Sequence, residues 1–208
     1  MQPFTRTQGI AAPLLRDNID TDTIIRVERL FNAVPRADLG QYCMESLRYL
    51  PDGLPDPDFF RNDARYHGAS ILLCGRNFGC GSAREGAVWA LAGMGIRCVI
   101  APSVADLFAA NCFQNGILAF TLDQTLVESL AAAVATDPAN RQLVVDLQGC
   151  QVGLADGEPV SFSVPARRRE ALLEGFDEID LTLKNQAKIE TYRHRDRELR
   201  PWIYATDA

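Results

Sequence analysis

A glycine-rich segment at residues 77–86, Asn-Phe-Gly-Cys-Gly-Ser-Ala-Arg-Glu-Gly, carries the side chains best suited to chemistry. It follows the apolar run 69–74 and precedes an apolar-periodic stretch, so we predict a turn between a strand and a helix. Gly81 would let the backbone approach a ligand closely. The helix N-terminus and Arg84 suit a carboxylate, and Ser82 places a hydroxyl beside it. The segment therefore indicates a site for a small carboxylate.

The same segment also has a purely structural interpretation. Ser82 and Glu85 have the Ser-x-x-Glu spacing of a capping box, in which each residue satisfies the backbone of the other. Asn77 would then fix the turn through its side chain instead of touching a ligand. A cap alone does not require Gly81 and Arg84 as well, so the ligand site is the favoured interpretation.

Ser82 has a difficulty as a general base, because a serine hydroxyl is too weakly acidic to act alone at pH 7 and no histidine is near in sequence. Its alkoxide would need stabilisation by the helix N-terminus, neighbouring amides and Arg84, or by a partner subunit. Arg84 has the planar fork of a bidentate carboxylate ligand, and an ion pair with Glu85 or Asp106 is its structural alternative. Cys80 has no visible base partner and is a weak nucleophile candidate.

Residues 20–22, Asp-Thr-Asp, form a second constellation. Paired aspartates around a threonine can bind a cation or orient a substrate hydroxyl. An Asx-turn or a helix cap is the commoner use of such residues. Both interpretations stay open from the sequence.

Composition excludes several classes of protein. The 208 residues are 47% hydrophobic with a net charge of -6, which predicts a globular chain and argues against nucleic-acid binding. An acidic metabolite needs only local positive charge. No apolar stretch reaches about 18 residues and the N-terminus lacks an apolar signal core, so we expect no membrane span and a cytoplasmic location.

The cysteines and histidines do not form a metal-binding pattern. The six cysteines lack Cys-x-x-Cys pairs, and only two histidines are present. Cys74, Cys98 and Cys112 lie in apolar contexts typical of small core residues. We therefore expect neither a disulfide framework nor a metal or cluster site built from this chain alone.

The pattern of apolar residues predicts an α/β fold with mostly parallel strands and helices on the outside. We predict strands over residues 9–15, 69–74, 96–101, 117–122, 143–147, 151–154 and 160–164, the last two forming a hairpin. We predict helices over about 84–95, 123–135, 166–174 and 182–195. A further helix is predicted to begin at residues 102–103 and to end at Gly116. Residues 28–67, rich in charge, glycine and proline, indicate a long, partly mobile loop within a single domain, 1–208.

Several motifs, in order and at matching spacing, resemble one known family. They are residues 9–13, 18–25, 68–72, 77–85, 99–103, 106–108 and 111–116. The family is the small subunit of 3-isopropylmalate dehydratase, an aconitase-like enzyme of leucine biosynthesis. The resemblance covers nearly the whole chain, and the motif at 77–85 is its specific part.

This resemblance implies an aconitase-type swivelling β/β/α domain on a separate chain. It implies a large subunit that bears a [4Fe-4S] cluster and a hydroxy-dicarboxylate substrate, with 2-isopropylmalate converted to 3-isopropylmalate by loss and re-addition of water. It assigns the base to Ser82, the carboxylate contact to Arg84 and a polar role to Asp22. The other expected substrate contacts are Asn77, Gly81 and Ala83. Self-association of the isolated chain is a further expectation.

The sequence departs from the family pattern at a few positions. Ala83 replaces a second serine, and Gly86 and Val88 replace a histidine and a proline. Arg26 replaces another proline, and its extra charge would favour a different or smaller diacid. The alternatives are therefore a dehydratase for methylmalate, dimethylmalate or homoaconitate, or a non-catalytic carboxylate-binding paralogue. Residues 28–67 are expected to hold the specificity determinants.

Overall fold

The structure is a computed structural model that describes residues 1–31 and 34–204, so residues 32–33 of the predicted loop and 205–208 of the predicted domain lie outside it. The strands are β1 (Arg6–Gly9), β2 (Ala11–Leu14), β3 (Ile71–Cys74), β4 (Cys98–Ala101), β5 (Leu118–Thr121), β6 (Leu143–Asp146), β7 (Gln151–Leu154) and β8 (Val160–Ser161). The α-helices are α1 (Thr21–Ile24), α2 (Val27–Phe31), α3 (Glu45–Arg48), α4 (Glu85–Gly93), α5 (Asp106–Gln114), α6 (Gln124–Ala135), α7 (Ala166–Glu174), α8 (Glu178–Leu183) and α9 (Gln186–Leu199). Short 3-10 turns cover Arg36–Tyr42, Phe60–Asn62, Ala64–Tyr66 and Pro201–Ile203.

One sheet is parallel, with the strand order β2-β3-β4-β5. Helix α4 connects β3 to β4, and α5 connects β4 to β5. Strands β3 and β4 are apolar and buried along their whole length, as expected where both faces of a parallel sheet are covered. Pro13 lies in β2 at the sheet edge, where a missing N–H is tolerated. The predicted alternation of strands and helices is confirmed.

The second sheet is antiparallel, with the strand order β1-β6-β7-β8. The predicted hairpin is present, because Val152 of β7 pairs with Val160 of β8. The α/β fold class is confirmed, while the parallel pairing that we predicted for most strands applies to the first sheet alone. Strands β6, β7 and β8 follow one another through short turns, which allow antiparallel pairing but not a parallel crossover.

The two faces of the parallel sheet are packed against different layers. Leu72 and Cys74 belong to the cluster that includes the apolar side of α4 and part of α5. Ile71 and Leu73 belong to the cluster that includes α6 and the antiparallel sheet. Phe120 of β5 stacks on a ring that follows β8, Phe162, with a centroid separation of 3.8 Å. The result is the β/β/α layering that the resemblance implied.

The predicted strand at residues 9–15 corresponds to β2, but Gly9 belongs to a separate strand, β1, that we did not predict. The chain leaves the antiparallel sheet after Gly9 and enters the parallel sheet at Ala11. A Cβ on Gly9 would lie 2.3 Å from Ser70 Oγ, so the glycine permits a close crossing there. Between the two strands, the carbonyl of Ile10 accepts hydrogen bonds from the N–H groups of Ser70 and Ile71.

Most of the predicted helix at residues 182–195 corresponds to α9, while its first two residues belong to a separate helix, α8. Asp177 begins α8 with a capping box, in which its side chain accepts from Asp180 N at 2.8 Å and Asp180 accepts in return at 3.0 Å. None of the helices in the described ranges is both long and apolar enough to cross a bilayer.

The predicted loop at residues 28–67 contains short helices and 3-10 turns. Its turn Arg36–Tyr42 packs closely on α4, since a Cβ on Gly40 would lie 2.2 Å from the carbonyl carbon of Gly93. Leu39, Cys43 and Met44 are buried in the core. The region is therefore anchored to the helix that follows the glycine-rich segment, and its mobility stays a prediction.

Candidate functional site

Three loops meet at one edge of the parallel sheet. They follow the carboxyl ends of β2, β3 and β4, and cover residues 15–20, 75–84 and 102–105. The loop after β3 contains the glycine-rich segment and lies between the other two, because β3 lies between β2 and β4. Ligands of open parallel sheets bind outside this edge, so the predicted site has a suitable position.

The central loop is hydrogen-bonded to the loop after β2. Gly79 N donates to Ile19 O at 2.7 Å, and Thr21 N donates to Cys80 O at 2.9 Å. These bonds continue the parallel pairing of β2 and β3 beyond the strand ends. The segment that carries Ser82 is therefore held by a backbone ladder on this side.

The loop after β4 holds the other side. Phe78 N donates to Ser103 O at 3.1 Å, and Ala105 N donates to Phe78 O at 3.0 Å. Asn77 has a φ of 55°, its N–H donates to Ser103 Oγ at 2.8 Å, and its side chain donates to Asn18 Oδ1 at 2.9 Å. Asn77 therefore fixes the turn, as the structural interpretation of this segment predicted. Its contact with substrate stays a prediction.

Two glycines are required by the geometry of the loop. Gly79 has a φ of 74°, and a Cβ there would lie 2.2 Å from Cγ of Phe108. Phe108 packs edge-on against Phe78 with a centroid separation of 5.5 Å, which fixes the loop to α5. Gly81 has a φ of 90°, a backbone conformation that favours glycine.

The capping-box interpretation of Ser82 and Glu85 is wrong. Helix α4 begins at Glu85 with Arg84 as its N-cap, so Ser82 lies before the cap position. Glu85 does not bond back to Ser82, since its Oε1 accepts from Asn115 Nδ2 at 2.9 Å. The serine hydroxyl is therefore not committed to the helix.

Ser82 instead contacts the short helix α1. Its Oγ lies 2.9 Å from Thr21 Oγ1, and its N–H donates to the same Thr21 oxygen at 3.2 Å. Ser82 is exposed, whereas Thr21 is only 1% exposed. The exposed Ser82 is therefore held in place by hydrogen bonds to the buried Thr21 side chain.

Each residue of the Asp-Thr-Asp motif makes a different contact in the structure. Asp20 is the N-cap of α1, and its Oδ1 accepts from Thr23 N at 2.7 Å. The hydroxyl and the N–H of Thr23 hold the pKa of Asp20 below its usual value. The helix-cap alternative is thus correct for Asp20, while Thr21 contacts Ser82 and Asp22 faces Arg84.

Arg84 forms an ion pair with Asp22. Its Nη1 donates to Asp22 Oδ1 and also approaches Ile25 O at 3.3 Å. The Arg84 side chain is 20% exposed and that of Asp22 is 61% exposed. Within the described ranges neither Glu85 nor Asp106 forms an ion pair with Arg84, so the suggested alternative partners are wrong. Asp22 and Ile25 both contact Nη1, and the other N–H groups of a planar guanidinium fork can hold a second carboxylate.

The remaining predicted contacts lie beside Ser82. Gly81 and Ala83 are exposed, and the carbonyl of Ala83 accepts from Asn111 Nδ2 at 3.3 Å. Sequence reasoning missed the contacts that Asn111 of α5 and its C-cap, Asn115, make with residues 83 and 85, and it missed the role of Thr21. Both asparagines lie in the motif 111–116 that resembles the family, and Thr21 lies between the two aspartates that the sequence had indicated.

The departures from the family pattern have partial structural explanations. A Cβ on Gly86 would lie 2.7 Å from Leu30 Cδ1, so the glycine lets α2 pack on the first turn of α4. Arg26 lies 3.8 Å from Glu28 in an exposed ion pair, which is a weak interaction. The effect of these residues on substrate choice stays a prediction.

Four of the six cysteines are buried in the core. Among residues 1–31 and 34–204, no group of three or more His, Cys, Asp or Glu side chains is placed to hold a metal ion. Burial raises the pKa of Cys43 to about 12 and also raises the pKa of Cys74, Cys98 and Cys112. Iron–sulfur ligands are thiolates, so these protonated core thiols do not fit a cluster.

The fold, with its three loops at the carboxyl edge of the parallel sheet, is that of an aconitase-type domain. A family model described as the aconitase C-terminal domain matches residues 1–125, which contain the parallel sheet and its three loops. A crystal structure of 3-isopropylmalate dehydratase from Methanocaldococcus jannaschii has a TM-score of 0.62 with 23% identity, covering 90% of this chain and 99% of that chain. At this identity, the likeness supports the fold alone.

Sequence relatives narrow the class to one family. The 3-isopropylmalate dehydratase small subunit of Rhodospirillum centenum is 48% identical over 202 residues, which is 97% of this chain and 98% of the relative. The protein of the same name from Cupriavidus necator is 47% identical over 206 residues, which is 98% of this chain and 99% of the relative. The chain belongs to the family of 3-isopropylmalate dehydratase small subunits.

Proposed function

We propose that this chain is the small subunit of a 3-isopropylmalate dehydratase, with residues 1–208 acting as one swivel domain in the cytoplasm. It would isomerise 2-isopropylmalate and 3-isopropylmalate by removing water and adding it back. The observation that carries the proposal is the exposed Ser82 hydroxyl, held against Thr21 beside the Arg84–Asp22 pair. The full-length similarity to proteins named for this activity supports it.

Ser82 Oγ is the base in this proposal. As an alkoxide it would take a proton from one carbon of the substrate, the C–H electron pair would become the C=C bond, and the C–O bond would break with loss of hydroxide from the neighbouring carbon. Re-addition of water in the opposite sense would return the proton from Ser82. A positioned base of this type contributes about 10²–10⁴ to the rate.

Arg84 would bind a substrate carboxylate. Its Nη1 is used by Asp22, so the substrate would take other N–H groups of the planar fork. Asp22 orients the guanidinium from the opposite side. Hydrogen bonds to charged groups contribute about 1.5–3 kcal/mol, which is enough to favour a substrate with a carboxylate at this position.

The reaction would need a second chain, which the words "small subunit" in the relatives' names support. We place the [4Fe-4S] cluster on that large subunit, where its iron would act as a Lewis acid on the hydroxyl that leaves. The substrate would then lie between the cluster and the edge that carries Ser82 and Arg84. On this view the isolated chain is half of an active site.

The test is reconstitution with the large subunit from the same organism. The proposal predicts that the purified chain alone does not convert 2-isopropylmalate and that the two-chain complex does. Turnover by the chain alone would contradict the proposal. A panel of 2-isopropylmalate, citramalate and dimethylmalate tests the substrate, because a clear preference for the smaller diacids would overturn the isopropylmalate assignment and support the role suggested for Arg26.

A further inference from the structure

Thr21 is a buried polar residue that contacts the proposed base. It is 1% exposed, and its Oγ1 lies 2.9 Å from Ser82 Oγ. Its N–H donates to Cys80 O at 2.9 Å, and its carbonyl accepts from Ile25 N at 3.0 Å. The backbone of Thr21 is therefore fixed both to the loop and to α1.

The hydrogen-bond inventory favours Thr21 as the donor in the contact between the two hydroxyls. A threonine hydroxyl has one proton and two acceptor positions, and Ser82 N–H uses one acceptor position of Thr21 at 3.2 Å. Thr21 is the first residue of α1, so it has no preceding helical turn whose carbonyl could accept its proton. Because the side chain is buried from water, Ser82 Oγ is the acceptor within reach.

We propose that Thr21 is a positioning residue for Ser82, with its O–H donating to Ser82 Oγ and its oxygen accepting from Ser82 N–H. This inference rests on the proposed function of Ser82 as the base. The bond leaves the serine proton free to point toward the exposed side, where the substrate would bind. It also strengthens when Ser82 is an alkoxide, because hydrogen bonds to charged oxygens are stronger than those to neutral ones.

The test removes the hydroxyl and keeps the shape. In the reconstituted complex, Thr21→Val is expected to lower kcat about 10- to 100-fold and to change KM less than about twofold, since Thr21 does not touch substrate. Proton abstraction should become more rate-limiting, so the deuterium isotope effect on kcat, with deuterium at the carbon that loses its proton, should rise. Thr21→Ser keeps the hydroxyl and should restore kcat to within about threefold of wild type.

Thr23→Val is the matched control. It removes a hydroxyl of the same helix, α1. This hydroxyl interacts with Asp20 and not with Ser82, so kcat and the isotope effect should match wild type. If Thr21→Val does not fold, Thr21→Ala, which adds no new group, is measured with the same expected result.

Two outcomes would overturn the positioning role. One is a Thr21→Val enzyme with wild-type kcat and isotope effect while Ser82→Ala is inactive, which leaves the proposed function intact. The other is a loss that Thr21→Ser does not restore or that Thr23→Val reproduces, which would assign Thr21 a purely structural role. Full activity of Ser82→Ala would instead overturn the proposed function itself, together with this inference.

Discussion

The parallel and antiparallel sheets contribute differently to this molecule. Every predicted site residue lies in a loop or short helix that follows β2 or β3 of the parallel sheet. The antiparallel sheet carries none of them and instead covers one face of the parallel sheet, with Phe162 stacked on Phe120. The aconitase family model, which matches residues 1–125, covers the first sheet and stops before β6. The predicted site residues are therefore concentrated at one edge, and the antiparallel sheet contributes to the core.

The C-terminal helix α9, like the antiparallel sheet, carries none of the predicted site residues. Asp196 of α9 is bonded to Arg200 and to Tyr204, whose hydroxyl donates at 2.6 Å. These contacts are local, and Trp202 remains 70% exposed. Substitutions in the two regions should consequently separate stability from activity.

The largest expected effect on stability is in the antiparallel region. Phe162→Ala removes a ring that is 8% exposed and should lower the free energy of unfolding by about 3–5 kcal/mol. Denaturation of the full chain measures this loss, and Trp202→Ala, at an exposed aromatic, is the control. Below the unfolding temperature, kcat of the complex should be unchanged. A large fall in kcat of folded Phe162→Ala would show that the antiparallel region also affects activity.

A smaller effect, on binding, is expected at the parallel edge. Arg84→Gln removes the charge that we propose binds the substrate carboxylate, and it should raise KM about 10- to 150-fold, from the loss of about 1.5–3 kcal/mol. Steady-state kinetics of the complex measure it. Arg167→Gln is the matched control, because Arg167 of α7 is exposed and paired with Glu178, and its KM should stay within about twofold. Equal effects at both arginines would remove the special role of Arg84.

The smallest effect is expected at the cap of α1. Asp20→Ala should cost about 0.5–2 kcal/mol at pH 7. Because the pKa of Asp20 is lowered in the folded state, its contribution is present above the unfolded pKa of about 3.9 and is lost as the pH falls through the lower folded value.

Denaturation of wild type and Asp20→Ala from pH 7 to pH 2 measures this pH dependence, and the difference between them should shrink at low pH. Asp20→Asn, which keeps the cap without the charge, should lack that pH dependence. A difference that stays constant with pH would argue against the ionised cap.

Much of the fold could be predicted because apolar runs identify the buried parallel strands and glycines mark the loop between β3 and α4. The sequence could not show that Ser82 contacts a threonine 61 residues away or that Arg84 pairs with an aspartate 62 residues away. The local Ser-x-x-Glu spacing suggested a capping box as the structural alternative for Ser82, and that alternative is wrong because both residues contact partners distant in sequence. The change of sheet at Ile10 was missed for the same reason, since it depends on the approach of Ser70.

The most direct test of a catalytic edge is kcat of the reconstituted complex with Ser82→Ala, compared with Ser161→Ala, an exposed serine of β8. The size of each complex is checked before the assay. Ser82→Ala should lower kcat about 10²–10⁴-fold with the complex intact, while Ser161→Ala should match wild type. Wild-type kcat for Ser82→Ala in an intact complex would contradict the assignment of the base and of the edge that carries it.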